Sequence, residues 1–91
     1  MKTIYKYEIP VGIITTEMPT GARILDVQHQ DCTDDHGVPM LSLWALVDTD
    51  ANPEIVRFRV YGTGHPVEEL GEYIGTAQTP PLVWHVFKIT Q

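Results

Sequence analysis

Apolar and polar residues alternate along much of the chain, which predicts β-strands. The clearest case is residues 56–61, where Val56, Phe58 and Val60 would share one face of a strand, because successive side chains of a strand lie on opposite sides of the sheet. No long segment has helical periodicity, and prolines and glycines recur about every ten residues, as in small all-β folds. We therefore predict a single all-β domain over residues 1–91. Its antiparallel sheet of about six strands is expected to curl into a small sandwich or partly open barrel, with at most one short helical turn at Val67–Gly71.

The order of the candidate strands along the chain suggests which strands pair. We expect residues 3–9 and 13–17 to form a hairpin-like ribbon and residues 38–61 to form a long hairpin, because strands adjacent in sequence are usually adjacent in space. The run Met40–Val47 is apolar on both faces, which indicates the central strand of the sheet. The last strand, Leu82–Ile89, is also apolar on both faces, so it lies either in the middle of the sheet or against a partner subunit.

The balance of charges limits the classes of partner. The chain of 91 residues has 12 acidic and 6 basic side chains, for a net charge of −6. Broad binding of duplex nucleic acid draws most of its affinity from a basic surface, so the sequence argues against that function. A domain this small has little stability to spare, and we expect a homo-oligomer that buries additional surface.

The sequence also indicates where the protein acts. It has a single cysteine, Cys32, so no intramolecular disulfide can form. It has neither a signal-peptide pattern nor an apolar run long enough to cross a membrane. We therefore expect a cytoplasmic protein without a membrane partner.

Scarce positive charge is concentrated in one stretch, residues 57–65. Arg57, Arg59 and Tyr61 would share the polar face of their strand, and the turn Gly62–His65 follows, with glycines that permit positive φ. Two guanidinium groups beside a turn with free amides suit an anion such as phosphate. The candidate ligand-binding residues are Arg57, Arg59, Tyr61, Gly62, Thr63, Gly64 and His65.

These residues also have simpler interpretations. The two arginines can be solvent-facing charges that balance the acidic connection around Asp48, Asp50 and Glu54. The glycine-containing turn is neither a dinucleotide fingerprint nor a P-loop, because the third glycine, a following helix and the Lys-Ser/Thr pair are missing. Tyr61, together with one of the two tryptophans, is the best candidate to stack on a base.

Nothing in the sequence identifies a metal site or a catalytic centre. The polar loop Asp31–Gly37 has residue types that bind metals, but its spacing matches neither a calcium loop nor a zinc site, and a solvated hairpin loop explains it. His29 and His85 lie on apolar faces, where a hydrogen-bonded core histidine is usual. Cys32 lies in an acidic loop, which would raise its pKa. We predict no catalytic residue, no metal and no cofactor.

Six separate blocks occur in order along the chain: Met1–Tyr7, Pro19–Gln28, Leu43–Asp48, Tyr61–Pro66, Tyr73–Thr76 and Val83–Phe87. Together they resemble a family of uncharacterised small proteins encoded by bacteriophages and prophages. The resemblance covers nearly the whole chain, although the acidic loop at residues 31–37 is longer here. It implies a phage-encoded accessory protein in the host bacterial cytoplasm, and it implies no activity or assigned site.

Three functional hypotheses follow. The first is a non-catalytic binding protein that sequesters a phosphorylated small molecule, such as a nucleotide-derived signal of bacterial antiviral defence. The second is an inhibitor of a host protein that binds through the acidic surface or an exposed strand edge. The third is a small hydrolase of a phosphorylated signal, which would use His65 with Glu68 or Glu69.

Overall fold

Each segment predicted to be a strand forms one. The computed structural model describes residues 1–30 and 32–89, together with the path of the strand through residue 31. This part of the chain contains seven strands and no helix, so the all-β prediction is confirmed, and the alternative of a helical turn at Val67–Gly71 is wrong. The strands are β1 (Lys2–Pro10), β2 (Ile13–Pro19), β3 (Arg23–Thr33), β4 (Pro39–Asp48), β5 (Pro53–Gly62), β6 (Glu72–Thr79) and β7 (Leu82–Ile89).

The strands form two antiparallel sheets around one core, which is the sandwich arrangement. The three-stranded sheet has the order β1-β4-β3, and the four-stranded sheet has the order β2-β5-β7-β6. β4 is therefore the central strand of its sheet, as its apolar run predicts, and β7 lies in the interior of the other sheet. The described residues contain no helix with the length and apolar character needed to span a membrane.

Two of the predicted strand pairs are wrong. β1 pairs with β4 rather than with β2, and β2 pairs with β5, so residues 3–17 and residues 38–61 do not form hairpins. In both places the connecting loop carries the chain from one sheet to the other. Apolar faces of neighbouring strands then face each other across the core, which buries more apolar surface than a flat ribbon would. By contrast, β3–β4 and β6–β7 are hairpins.

Inward-facing side chains from both sheets make the core. Phe58 on β5 is fully buried, and Leu41 and Leu43 on β4 are fully buried as well. The edge strands β3 and β6 approach each other at Gly75, where a Cβ atom would lie 2.7 Å from the side chain of Val27. The core residues are Ile9, Ile14, Met18, Val27, Leu41, Leu43, Ala45, Val47, Val56, Phe58, Val60, Ala77 and Val86.

The connection from β5 to β6 crosses the outer face of the four-stranded sheet. β5 and β6 are both antiparallel to β7, so they run parallel to each other, and the chain must return along the sheet before β6 begins. We call residues 63–71, which make this return, the crossover segment. It lies over β7 and brings two glutamates, Glu68 and Glu69, to the outward side chains of β5.

Candidate functional site

The polar face of β5 carries three of the seven predicted site residues. Val56, Phe58 and Val60 face the core, so the alternation of the strand directs Arg57, Arg59 and Tyr61 outward, as predicted. They are more enclosed than surface residues, because the crossover segment covers them. The Arg59 side chain is only 12% exposed, and Tyr61 is 6% exposed.

Both arginines bind the same carboxylate, that of Glu69 in the crossover segment. The two terminal nitrogens of Arg57 donate to the two carboxylate oxygens of Glu69, at 2.8 Å and 2.7 Å. Arg59 donates from one terminal nitrogen to Glu69 at 3.0 Å and from the other to Glu68 at 3.1 Å. Parallel hydrogen bonds from a guanidinium fork are the strongest way for a protein to hold an oxyanion. The Arg57 fork therefore binds Glu69 with both nitrogens, whereas the Arg59 fork is shared between Glu69 and Glu68.

Two of the three alternative partners predicted for the arginines, Asp48 and Asp50, are engaged elsewhere. Asp48 and Asp50 accept hydrogen bonds from the N-terminal amine of Met1, at 3.3 Å and 2.8 Å. The charges that balance the arginines are those of Glu68 and Glu69, which lie nine to twelve residues further along the chain than their partners. The acidic connection around Asp48 thus does not serve this role.

Hydrogen bonding and charge keep the cluster ionised. Hydrogen bonds from Arg57 lower the pKa of the Glu69 carboxyl, and the hydrogen bonds to Glu69 raise the pKa of Arg57. Because the pKa of Glu69 is lower in the folded protein, the ion pair stabilises the fold at neutral pH. That stabilisation is lost as the pH falls through the pKa of folded Glu69.

Tyr61 fixes the backbone of the crossover segment. Its hydroxyl donates to the carbonyl oxygen of Glu69 and accepts from the amide of Glu69, both at 2.9 Å. Its ring packs edge-on against Phe87 with centroids 5.9 Å apart, and the guanidinium carbon of Arg59 lies 4.9 Å from its centroid. The proposal that Tyr61 stacks on a base is therefore corrected, because its ring is buried between neighbouring side chains.

The other four predicted residues, Gly62–His65, form a separate turn at the far end of β5. Gly62 is five residues beyond Arg57, roughly 17 Å along an extended strand, so the turn and Arg57 cannot hold the same phosphate group. The amide of Thr63 donates to Val83 O at 3.1 Å, and the amide of His65 donates to Gly62 O at 3.0 Å. The predicted free amides at these two positions are thus bonded within the protein.

A chain of hydrogen-bonded side chains runs from this turn across the sheet. Thr63 Oγ1 lies 2.7 Å from His85 Nε2, and Thr76 Oγ1 lies 3.2 Å from His85 Nδ1. Tyr73 extends the chain, with its hydroxyl 2.5 Å from Thr76 Oγ1. His85 is hydrogen-bonded, as predicted, but it lies on the outer face of β7 rather than in the core. β7 pairs with β5 so that His85 lies opposite Tyr61, and both side chains are on the outer face of the sheet.

An open groove lies beside Arg57 at the end of the sheet. Its volume is about 450 Å³, which is within the range of small-molecule sites. Arg57 supplies positive charge to its wall, Glu54 supplies negative charge, and Thr15 supplies a hydroxyl. Lys88 pairs with the buried Phe58, so its side chain leaves the strand on the core face of the sheet and not on the face of Arg57. The lining residues are Thr15, Glu54, Ile55, Val56, Arg57, Lys88 and Ile89. Sequence reasoning missed Thr15 and Lys88, because strands distant in sequence bring them to the groove. It named Glu69 only as a candidate acid of the hydrolase hypothesis and missed its contact with the arginines.

The acids named in the hydrolase hypothesis are paired with arginines. In the part of the chain that the structure describes, the hydrogen bonds of Glu68 and Glu69 carboxylates go to arginines and not to His65. Those residues also contain no group of three or more His, Cys, Asp or Glu side chains arranged to hold a metal ion. Cys32 contacts the Glu8 carboxylate, and this hydrogen bond raises the pKa of the thiol, in the direction predicted.

Comparison with known proteins gives a family and no activity. The model of a family described as a domain of unknown function, DUF7352, matches residues 1–91. No curated protein and no solved structure gives a significant match to the chain.

Proposed function

The chain belongs to the DUF7352 family of domains of unknown function, and we propose that it is a non-catalytic binding protein for a phosphorylated small molecule. The observation that carries the proposal is the convergence of Arg57 and Arg59 on one carboxylate, that of Glu69. Two guanidinium groups that both donate to one oxyanion are well suited to hold a phosphate group. In the unliganded protein Glu69 occupies the position that the ligand's phosphate would take.

The groove beside Arg57 offers space for the rest of the ligand. Ile55 and Ile89 provide apolar wall area beside Arg57. A phosphate carries more negative charge than the carboxylate it would displace, so the two arginines favour the ligand over Glu69. The groove and the arginines together suit a phosphorylated molecule with a sizeable, partly apolar body, such as a nucleotide.

Ligand entry requires movement of the crossover segment alone. Between β5 and β6 this segment has no regular secondary structure, and its residues 63–68 and 70 are exposed. Glu69 must give up its hydrogen bonds to Arg57, Arg59 and Tyr61, and the phosphate of the ligand replaces those of the arginines. The seven strands would stay in place while Glu69 leaves the two arginines.

The biological setting comes from the sequence resemblance. We place the protein in the host bacterial cytoplasm as a phage-encoded accessory protein that sequesters a nucleotide-derived immune signal. Sequestration needs a preorganised binding site and no catalytic groups. The net charge of −6 opposes binding to duplex nucleic acid and leaves a local basic site for one small anion.

Calorimetric titration with ADP and with cyclic di-AMP tests the proposal. Wild-type protein is expected to bind at least one of these probes, and the double variant Arg57→Ala/Arg59→Ala is expected to bind it about 100-fold more weakly, since two charge-assisted contacts are removed. Arg57→Lys/Arg59→Lys keeps the charge without the forks and is expected to be intermediate. Arg23→Ala, an arginine of the three-stranded sheet, is the control and should bind like wild type.

Circular dichroism spectra of all variants establish that they are folded. The proposal is wrong if wild-type protein binds neither probe, or if folded Arg57→Ala/Arg59→Ala binds with undiminished affinity. In the first case the arginines serve to hold the crossover segment on the sheet.

A further inference from the structure

The outer face of the three-stranded sheet combines exposed apolar side chains with a shallow groove. Ile4 on β1 is 56% exposed, and Leu25 on β3 is 45% exposed. Trp44 on β4 lies between them, and the groove that these residues line has a volume of about 350 Å³. Exposed apolar surface that is bordered by polar side chains is typical of protein interaction sites.

The charges on this face are arranged asymmetrically about its central strand. The register places Lys6 of β1 beside Trp44 on one side and Asp26 of β3 beside it on the other. Directly paired residues of antiparallel strands share a face of the sheet. A positive side chain, an aromatic ring and a negative side chain therefore form one row across the sheet.

We propose that this face binds a second copy of the chain, with a two-fold axis that runs parallel to β4 over Trp44. Such an axis places β1 of one copy on β3 of the other. Lys6 then meets Asp26 of the second copy, and the symmetry creates this contact twice. Ile4 shares its row with Leu46 and Arg23, so it meets Arg23 of the second copy. Leu25 lies in the neighbouring bulge of β3, and the contact covers it together with Ile4.

The charge pattern selects this orientation over the other face-to-face arrangement. A two-fold axis perpendicular to β4 would place Lys6 against Lys6 and Asp26 against Asp26, and both contacts are repulsive. The Asp26 carboxylate is held in position by the amide of Val27 at 2.8 Å and the side chain of Gln28 at 2.9 Å. A fixed carboxylate loses less conformational freedom when it binds a lysine.

The area of the face limits the affinity that we expect for the dimer. Three strands of about nine residues cover roughly 30 Å by 14 Å, which is smaller than a standard interface. We therefore expect a dimer that dissociates in the micromolar range. Because its interface is on the opposite side of the sandwich from Arg57, the dimer does not depend on the proposed ligand.

Sedimentation velocity over a protein concentration range of about 1 to 500 μM measures this association. Wild-type protein is expected to shift from monomer to dimer with concentration. Lys6→Asp and Asp26→Lys should each raise the dissociation constant at least tenfold, because two attractive contacts become repulsive. The double variant Lys6→Asp/Asp26→Lys should return to within about threefold of wild type. Glu17→Lys, on the four-stranded sheet, is the charge-reversal control and should have no effect on dimer formation.

Two results would overturn the proposed dimer. One is a wild-type protein that stays monomeric at every concentration. The other is a folded double variant that dimerises no better than the single variants, because a dimer built on another surface would not respond to an exchange of these two charges.

Discussion

Replacing Gly71 with alanine is expected to destabilise the protein by about 3 kcal/mol or more, the upper part of the range for overpacked sites. Gly71 is the last residue of the crossover segment and lies against the backbone of β7. A Cβ atom there would overlap the carbonyl oxygen of Lys88 and lie 2.9 Å from its carbonyl carbon. Backbone inside a sheet cannot move aside as a side chain can, so either β7 or the crossover segment must shift. Urea denaturation followed by tryptophan fluorescence measures the loss.

The matched control is Gly37→Ala in the β3–β4 turn. Gly37 has a φ of +79°, and a Cβ atom added there would have no heavy atom within 4 Å, so alanine meets backbone strain but no collision. A cost of roughly 1–2 kcal/mol is expected for the left-handed conformation. If Gly71→Ala is no more destabilising than this control, the close packing of the crossover segment on β7 is wrong.

Phe58→Ala is expected to cost about 3–5 kcal/mol, the usual range for a buried phenylalanine. Phe58 is completely buried on β5, and its removal leaves a cavity that both sheets line. A domain of this size has a total stability of roughly 5–14 kcal/mol, so the variant should lose a large part of it. Thermal and urea denaturation of the variant give the free energy of unfolding.

Ile55→Ala supplies the comparison on the same strand. Ile55 is 67% exposed on the opposite face of β5, and its replacement should change the free energy of unfolding by less than about 1 kcal/mol. Equal effects of the two substitutions would contradict the assignment of the inner and outer faces of β5. That assignment also places Arg57 and Arg59, so the comparison tests the basis of the site.

The strands and their faces could be predicted from the sequence because they depend on local patterns. Alternation at residues 56–61 correctly assigned Phe58 to the core and the arginines to the outer face. The continuous apolar run of β4 correctly indicated a central strand. The alternation of apolar and polar residues within one segment shows which of its faces are buried. This pattern can be recognised in a single sequence.

Strand pairing and the contacts of the arginines could not be predicted. They depend on whether the loop after each strand returns to the same sheet or passes to the other sheet. Nothing local distinguishes a turn that makes a hairpin from one that passes to the other sheet, as those after β1 and β4 do. The crossover segment has no periodic pattern, so its path over β7 and the meeting of Glu69 with Arg57 follow only from the topology. The simpler interpretation of the arginines balances them against the acidic connection around Asp48, Asp50 and Glu54.

The proposed dimer and the proposed ligand site occupy opposite faces of the sandwich. Each dimer would therefore have two arginine sites on its outer surfaces. Each site would be formed by one chain alone and not by the interface between the two chains. We therefore expect one ligand to bind to each chain.

The most direct test of the central claim, that Glu69 occupies the ligand's position, is the affinity of Glu69→Gln for the nucleotide probe that wild-type protein binds. The substitution keeps the size of the side chain and removes the charge that competes with a phosphate for Arg57 and Arg59. Isothermal titration calorimetry should show binding about tenfold tighter than wild type, within the range usual for coupled equilibria. Unchanged or weaker binding by the folded variant would contradict the account.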